Sequence, residues 1–150
     1  MKTYIDSSAL VPIYVPEEFS ARARREVRSV RQVPFTPLHG LEVRNAFHLL
    51  CGRGHISTAE LRGALGWLED DLTAHRLARV QVDFTRLFAR AEQLVAAHSA
   101  QLLCRSLDVL HVACALQLEC TRFVTADDRQ LALAKAVGMI TADIKRTARQ

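Results

Sequence analysis

The chain has 150 residues, 49% hydrophobic and 24% charged, with a formal net charge of +4 and a pI near 9.2. That is the size and composition of one folded globular domain with one well-buried core. It has no apolar run near the ~20 residues that a membrane span needs.

Lys2 to Ile5 reads as a short strand, followed by helical material from about Ser8 to Arg31. The opening MKTYIDSSALV carries an acid at Asp6 and lacks the apolar core of a signal peptide, so a cytoplasmic protein is expected. SARARREVRSVR places Arg22, Arg24, Arg25, Arg28 and Arg31 on one probable helix. Such a helix is either a solvated face or a surface for a polyanion or an acidic protein.

Val33 to Thr36 is a second strand candidate. Pro37 suits the first turn of a helix running to about Cys51, because its missing N–H costs nothing there. Gly52 and Gly54 punctuate, and Ser57 or Thr58 opens a helix to about His75. LARVQV at 77–82 is a third strand, and helical periodicity resumes from Thr85 to about His98. Leu107–Glu119 is a helix apolar on nearly every face, with Ser106 as its expected cap. RFVT at 122–125 is a fourth strand, a helix follows from Asp127 to Val137, and Gly138 ends it before a last strand, MIT.

Strands alternating with helices predict an α/β fold, a parallel sheet with helices on both faces. Cys51, Cys104, Cys114 and Cys120 form no C-x-x-C pair and are read as buried free thiols.

In such a sheet, ligands bind beyond the carboxyl ends of the strands. Asp6 ends the first strand and Asp127 follows the fourth, so parallel strands bring both to one edge. Helices that follow such strands begin at that edge too. Asp108 lies at the start of the apolar helix, and Glu42 lies early in the helix after Pro37. Singly, each acid has an ordinary explanation as a cap, a turn residue or a partner of Arg44 or Arg31. Together they form a site in which carboxylates repel and must hold protons or a cation.

Oxygen ligands without Cys or His select Mg²⁺, Mn²⁺ or Ca²⁺ rather than zinc. Mg²⁺ in particular suits metal-assisted phosphodiester hydrolysis. Ser7, Ser8 and Thr125 flank the acids and are expected to orient them. Asp127 is preferred over its neighbour Asp128, and His111 is read as a packing residue.

Four segments resemble the PIN-domain ribonucleases, specifically the VapC-type toxins of toxin–antitoxin pairs. They are YIDSSALVPIYVPEE with Asp6, LEVRNAF with Glu42, SLDVLHVACAL with Asp108, and FVTADDRQLALAKAVGM with Asp127. They stand in the family's order and cover essentially the whole chain. The resemblance implies one domain over residues 1–150, a three-layer α/β/α PIN-like sandwich around a central parallel sheet. It implies Mg²⁺- or Mn²⁺-dependent endoribonuclease activity, with Asp6, Glu42, Asp108 and Asp127 as the catalytic acids. Asp6 and Asp108 would be the metal ligands, with Ser7 and Thr125 behind them. It further implies an RNA substrate, a cognate antitoxin and a homodimer. Pro12 departs from the family, whose members often carry a lysine there, and is expected to kink or shorten the first helix.

Three rivals compete. A phosphoacceptor receiver domain needs an acid pair after the first strand, and this chain has DSSA there. A haloacid-dehalogenase-like phosphatase needs D-x-D, and position 8 is Ser. A non-catalytic RNA- or protein-binding module would use the basic helix and keep its affinity when the acids are removed. No G-x-G-x-x-G or Walker pattern is present, which argues against nucleotide-cofactor chemistry.

Overall fold

Tyr4 and Phe123 face one way from the middle of the sheet, Ile5 and Val124 the other, and each pair anchors a separate apolar cluster. This period-two alternation, with both faces buried, marks a central parallel sheet covered on both sides. A computed structural model describes residues 1–146. Strand β1 (Thr3–Ile5) pairs in parallel with β4 (Arg122–Thr125), and β4 with β5 (Ile140–Asp143). Strands β2 (Val33–Phe35) and β3 (Leu77–Arg79) form a second parallel pair, and β2 packs beside β1 without ladder pairing.

Helices α1 (Ser7–Tyr14), α2 (Ser20–Arg28), α3 (Pro37–Gly52) and α4 (Thr58–Thr73) lie with the cluster around Ile5, Phe47, Leu68 and Val124. Helix α5 (Phe84–Leu94) runs on through a π-helical turn, Val95–Ser99, and a last turn α6 (Ala100–Leu102). With α7 (Ser106–Gln117) and α8 (Asp128–Ala136), α5 covers the opposite face around Tyr4, Val112, Phe123 and Leu133. The result is the three-layer α/β/α sandwich expected.

Several boundaries differ from the sequence reading, each for a local reason. The helical stretch from Ser8 to Arg31 is two helices. Pro16 forces Val15 out of the helical region, to φ −114° and ψ 115°, and ends α1. Pro12 sits inside α1, where it removes one intrahelical donor, and the helix ends two residues later. Strand β3 stops at Arg79 rather than 82 because its partner runs out: Thr36 leaves β2 to cap α3. The last strand is Ile140–Asp143, beyond the expected MIT, since β4 offers partners as far as Thr125. Gly138 does end α8, at φ +84°, where a left-handed turn favours glycine.

All four cysteines are free. Cys114 and Cys120 are buried as expected, but Cys51 and Cys104 are only half-buried. Among the described residues no helix is long and apolar enough to cross a membrane.

Candidate active site

The sheet order reverses between β1 and β4, and the chain leaves both strands at the same edge. The backbone N–H of Asp6 still donates to the Val124 carbonyl at 3.0 Å, so the first acid is held in the ladder. Its side chain turns back to cap α1, with Oδ1 accepting from Ser8 Oγ at 2.9 Å and from the Ala9 N–H at 3.3 Å. Asp6 is 1% exposed, and Oδ2 has no hydrogen-bond partner among the described residues. Burial raises its pKa, against the hydrogen bonds from Ser8 and Thr125. A desolvated carboxylate with one oxygen unsatisfied is costly unless a proton or a cation meets it.

Ser8, rather than Ser7, is the residue that supports Asp6. Its hydroxyl gives its proton to Asp6 and accepts from the Ala126 N–H at 2.9 Å, so it ties the ends of β1 and β4 together. Thr125 stands 3.3 Å away and also accepts from the Asp127 N–H at 2.9 Å, so the expected supporting role of Thr125 has a geometric basis. The Ser7 hydroxyl turns inward instead, 3.4 Å from His111 Nε2.

Asp127 both caps α8 and faces the cleft. Its Oδ1 accepts from the N–H groups of Arg129 and Gln130, at 2.8 and 3.0 Å. Asp128 is exposed and pairs with Lys145, whose hydrogen bond and charge lower its pKa. Asp127 therefore lines the cleft and Asp128 does not.

The cap of α7 differs from expectation. Arg105, not Ser106, occupies the cap position, and Asp108 Oδ2 accepts the Arg105 N–H at 3.0 Å. This is the reach-back half of a capping box, made by an Asp in the first turn. Asp108 Oδ1 faces Gln130 Nε2 at 3.4 Å, and the residue is 8% exposed. Glu42 pairs with neither Arg31 nor Arg44, which binds Glu69 instead. It accepts from His111 Nε2. Burial alone would raise Glu42, but the hydrogen bonds from His111 and Ser7 hold it below the usual carboxylate range.

Asp6, Glu42, Asp108 and Asp127 line one cleft of about 430 Å³, together with Ser8 and Gln130. Among the described residues no three His, Cys, Asp or Glu side chains stand together as a ready cage for a metal. All four acids are turned onto donors of the protein: Asp6 onto Ser8 and the Ala9 N–H, Asp108 and Asp127 onto backbone N–H groups, and Glu42 onto His111. Even so, the residues fit a hard cation. The donors are all oxygens, and Asp6, one of the residues lining the cleft, has a buried oxygen without a partner among the described residues.

Gln130 lines the cleft and was not singled out in the sequence, while His111, read there as packing, is buried behind the cleft against Glu42. Gln130 lies three positions after Asp127, and His111 three after Asp108. On a helix that spacing places side chains on one face, a signal that was present but shared by many ordinary positions.

The family model described as "PIN domain" matches residues 3–136. No curated protein matches the chain. Among solved structures, a chain in the crystal structure of FitAcB from Neisseria gonorrhoeae aligns with a TM-score of 0.67 at 15% identity, over 97% of this chain and 99% of that one. At that identity the likeness concerns fold.

Proposed function

Because the chain belongs to the PIN-domain family, we propose that it is a divalent-metal-dependent endoribonuclease, the toxin of a toxin–antitoxin pair. PIN domains are in general nucleases acting on nucleic acid. The observation that carries the reading is the buried Asp6 carboxylate, one oxygen without a partner, in a cleft it shares with Glu42, Asp108 and Asp127.

In this mechanism Asp6 and Asp108 would hold Mg²⁺ or Mn²⁺, with Ser8 and Thr125 fixing Asp6 from behind. The cation supplies charge for the departing oxygen and a more acidic water. Glu42 and Asp127, acceptors when ionised, orient the attacking water and receive its proton. Hydrolysis then adds that water across one P–O bond of the RNA backbone. Of the expected basic cluster, Arg22 is tied to the Ile144 and Lys145 carbonyls, and Arg24, Arg25, Arg28 and Arg31 are left to hold phosphates or acidic antitoxin residues. The four-segment resemblance is the support for a cognate antitoxin and a homodimer.

The test is cleavage of a labelled pool of structured RNAs by purified, antitoxin-free protein with Mg²⁺, Mn²⁺ or EDTA, beside Asp108→Asn. Metal-dependent cleavage that the variant loses supports the nuclease. RNA binding without cleavage, equal in both proteins, would replace it with a binding module. Growth arrest on expression, absent for Asp108→Asn, is the expected sign of the toxin.

A further inference from the structure

His111 is fully buried, yet both ring nitrogens have polar partners drawn from distant parts of the chain. Tyr4, from the centre of β1, places its hydroxyl 2.8 Å from Nδ1. Glu42, from α3, places Oε1 on Nε2. An ionised carboxylate only accepts, so Nε2 carries a proton and donates it to Glu42. The phenol of Tyr4 is pushed far up by burial and keeps its own proton, which suits donation to Nδ1. The order is therefore hydroxyl to imidazole to carboxylate, running from the middle of the sheet to the wall of the cleft.

The neighbouring His39 cannot take this part. Its Nδ1 accepts from the Thr36 N–H and its Nε2 donates to the Ile5 carbonyl, so both of its nitrogens are committed to backbone. An apolar side chain would fill the space of His111 without needing two buried partners. What an imidazole adds is a fixed donor aimed at the one cleft acid that comes from α3.

We infer that His111 is a positioning residue: oriented by Tyr4, it holds Glu42 by one oxygen and so leaves the other directed by the cleft. This rests on the nuclease reading, since it assigns how one of the acids is presented to water and RNA. Partners that orient a site's first contacts are worth about 10- to 100-fold in activity.

The test has two arms on the full chain. Imidazole ¹⁵N NMR reads the ring directly: a protonated Nε2 in the unsubstituted protein, moving in Glu42→Gln, and an Nδ1 signal that moves in Tyr4→Phe. An Nε2 signal indifferent to Glu42→Gln would overturn the contact. In the second arm, His111→Asn lowers kcat for RNA cleavage by about 10- to 100-fold with KM unchanged, and adds no further loss in the Glu42→Gln background. Losses that multiply in the double variant, or that track a lowered Tm, would reduce His111 to packing. Should His111→Asn not fold, Tyr4→Phe removes only the hydroxyl and is expected to lower kcat in the same direction, again without effect on Glu42→Gln. No cleavage by the unsubstituted chain would overturn the nuclease reading and the catalytic part of this one, while the NMR arm still decides whether the imidazole holds Glu42.

Discussion

The Nε2–H of His39 donates to the carbonyl of Ile5 at 2.8 Å, across the boundary where β1 and β2 lie side by side without ladder bonds. At the same time Nδ1 accepts the Thr36 N–H at 3.0 Å, at the start of α3. One ring thus closes the gap in the sheet and completes a capping box in which histidine takes the position usually held by Glu or Gln. The capping role needs the neutral ring, because a protonated Nδ1 cannot accept, whereas donation from Nε2 survives protonation.

A pH dependence follows. Burial, above all, pushes the His39 pKa from 6.5 down to about 3. Between those values the unfolded chain binds the proton and the folded one does not. Stability therefore falls as pH drops from about 6.5, by about 1.4 kcal/mol per unit, until pH nears 3. Urea melts at pH 7, 6 and 5 check this. His39→Gln keeps an acceptor and a donor but cannot titrate, so its acid slope should be flatter. Parallel slopes in the two proteins would remove His39 as the cause.

Asp6 gives a prediction that needs no substrate. Its partnerless oxygen is a burden without a cation and a ligand with one. Thermal melts in EDTA should show Asp6→Asn at least as stable as the unsubstituted chain at pH 7, because a buried charge becomes a neutral amide. Mn²⁺ should then raise only the unsubstituted protein, by about 2.7 kcal/mol at 100 times Kd. Equal Mn²⁺ shifts in both proteins would take Asp6 out of the metal site.

What was legible in the sequence were the features set by neighbours along the chain. RFVT is a strand because an apolar pair sits between polar residues, and Asp127 follows it at the helix start wherever the rest of the chain goes. Asp6 is read the same way. The strand-edge rule then gathered the acids to one edge, where the four line one cleft. What could not be read were properties set across the fold. Tyr4 lies 107 positions from His111, and Glu42 lies 69. Nothing local distinguishes that histidine from one buried as packing. The choice between Ser7 and Ser8 was hidden for a similar reason, since it depends on how α1 is rotated against β4. The end of β3 depends on where β2 stops.

Tyr14 ties α1 to α4. Its hydroxyl donates to Asp71 Oδ2 at 2.7 Å, and the burial that surrounds it, with Asp71 itself, pushes the phenol far up. Tyr14→Phe removes one bond to a charged acceptor, a class worth about 1.5–3 kcal/mol. Arg76 still pairs with Asp71 from the exposed side, so the loss should fall near the lower end. Urea melts measure it, and RNA cleavage per folded molecule should be unchanged. A stability equal to the unsubstituted chain would mean the bond contributes nothing net.

Asp127 and Asp128 separate cap from chemistry. Asp127 Oδ1 accepts two N–H groups at the start of α8 while the residue faces the cleft, whereas Asp128 points to solvent and Lys145. Asparagine caps a helix about as well as aspartate, so Asp127→Asn should keep its Tm and lose most RNA cleavage. Asp127→Ala should lose cleavage and about 1 kcal/mol of stability as well. Asp128→Asn should alter neither, because its ion pair is exposed and screened. Melting curves beside cleavage rates for the three variants decide the matter. Full activity in Asp127→Asn would leave that acid a cap alone, and the hydrolytic role would then fall on Asp6, Glu42 and Asp108.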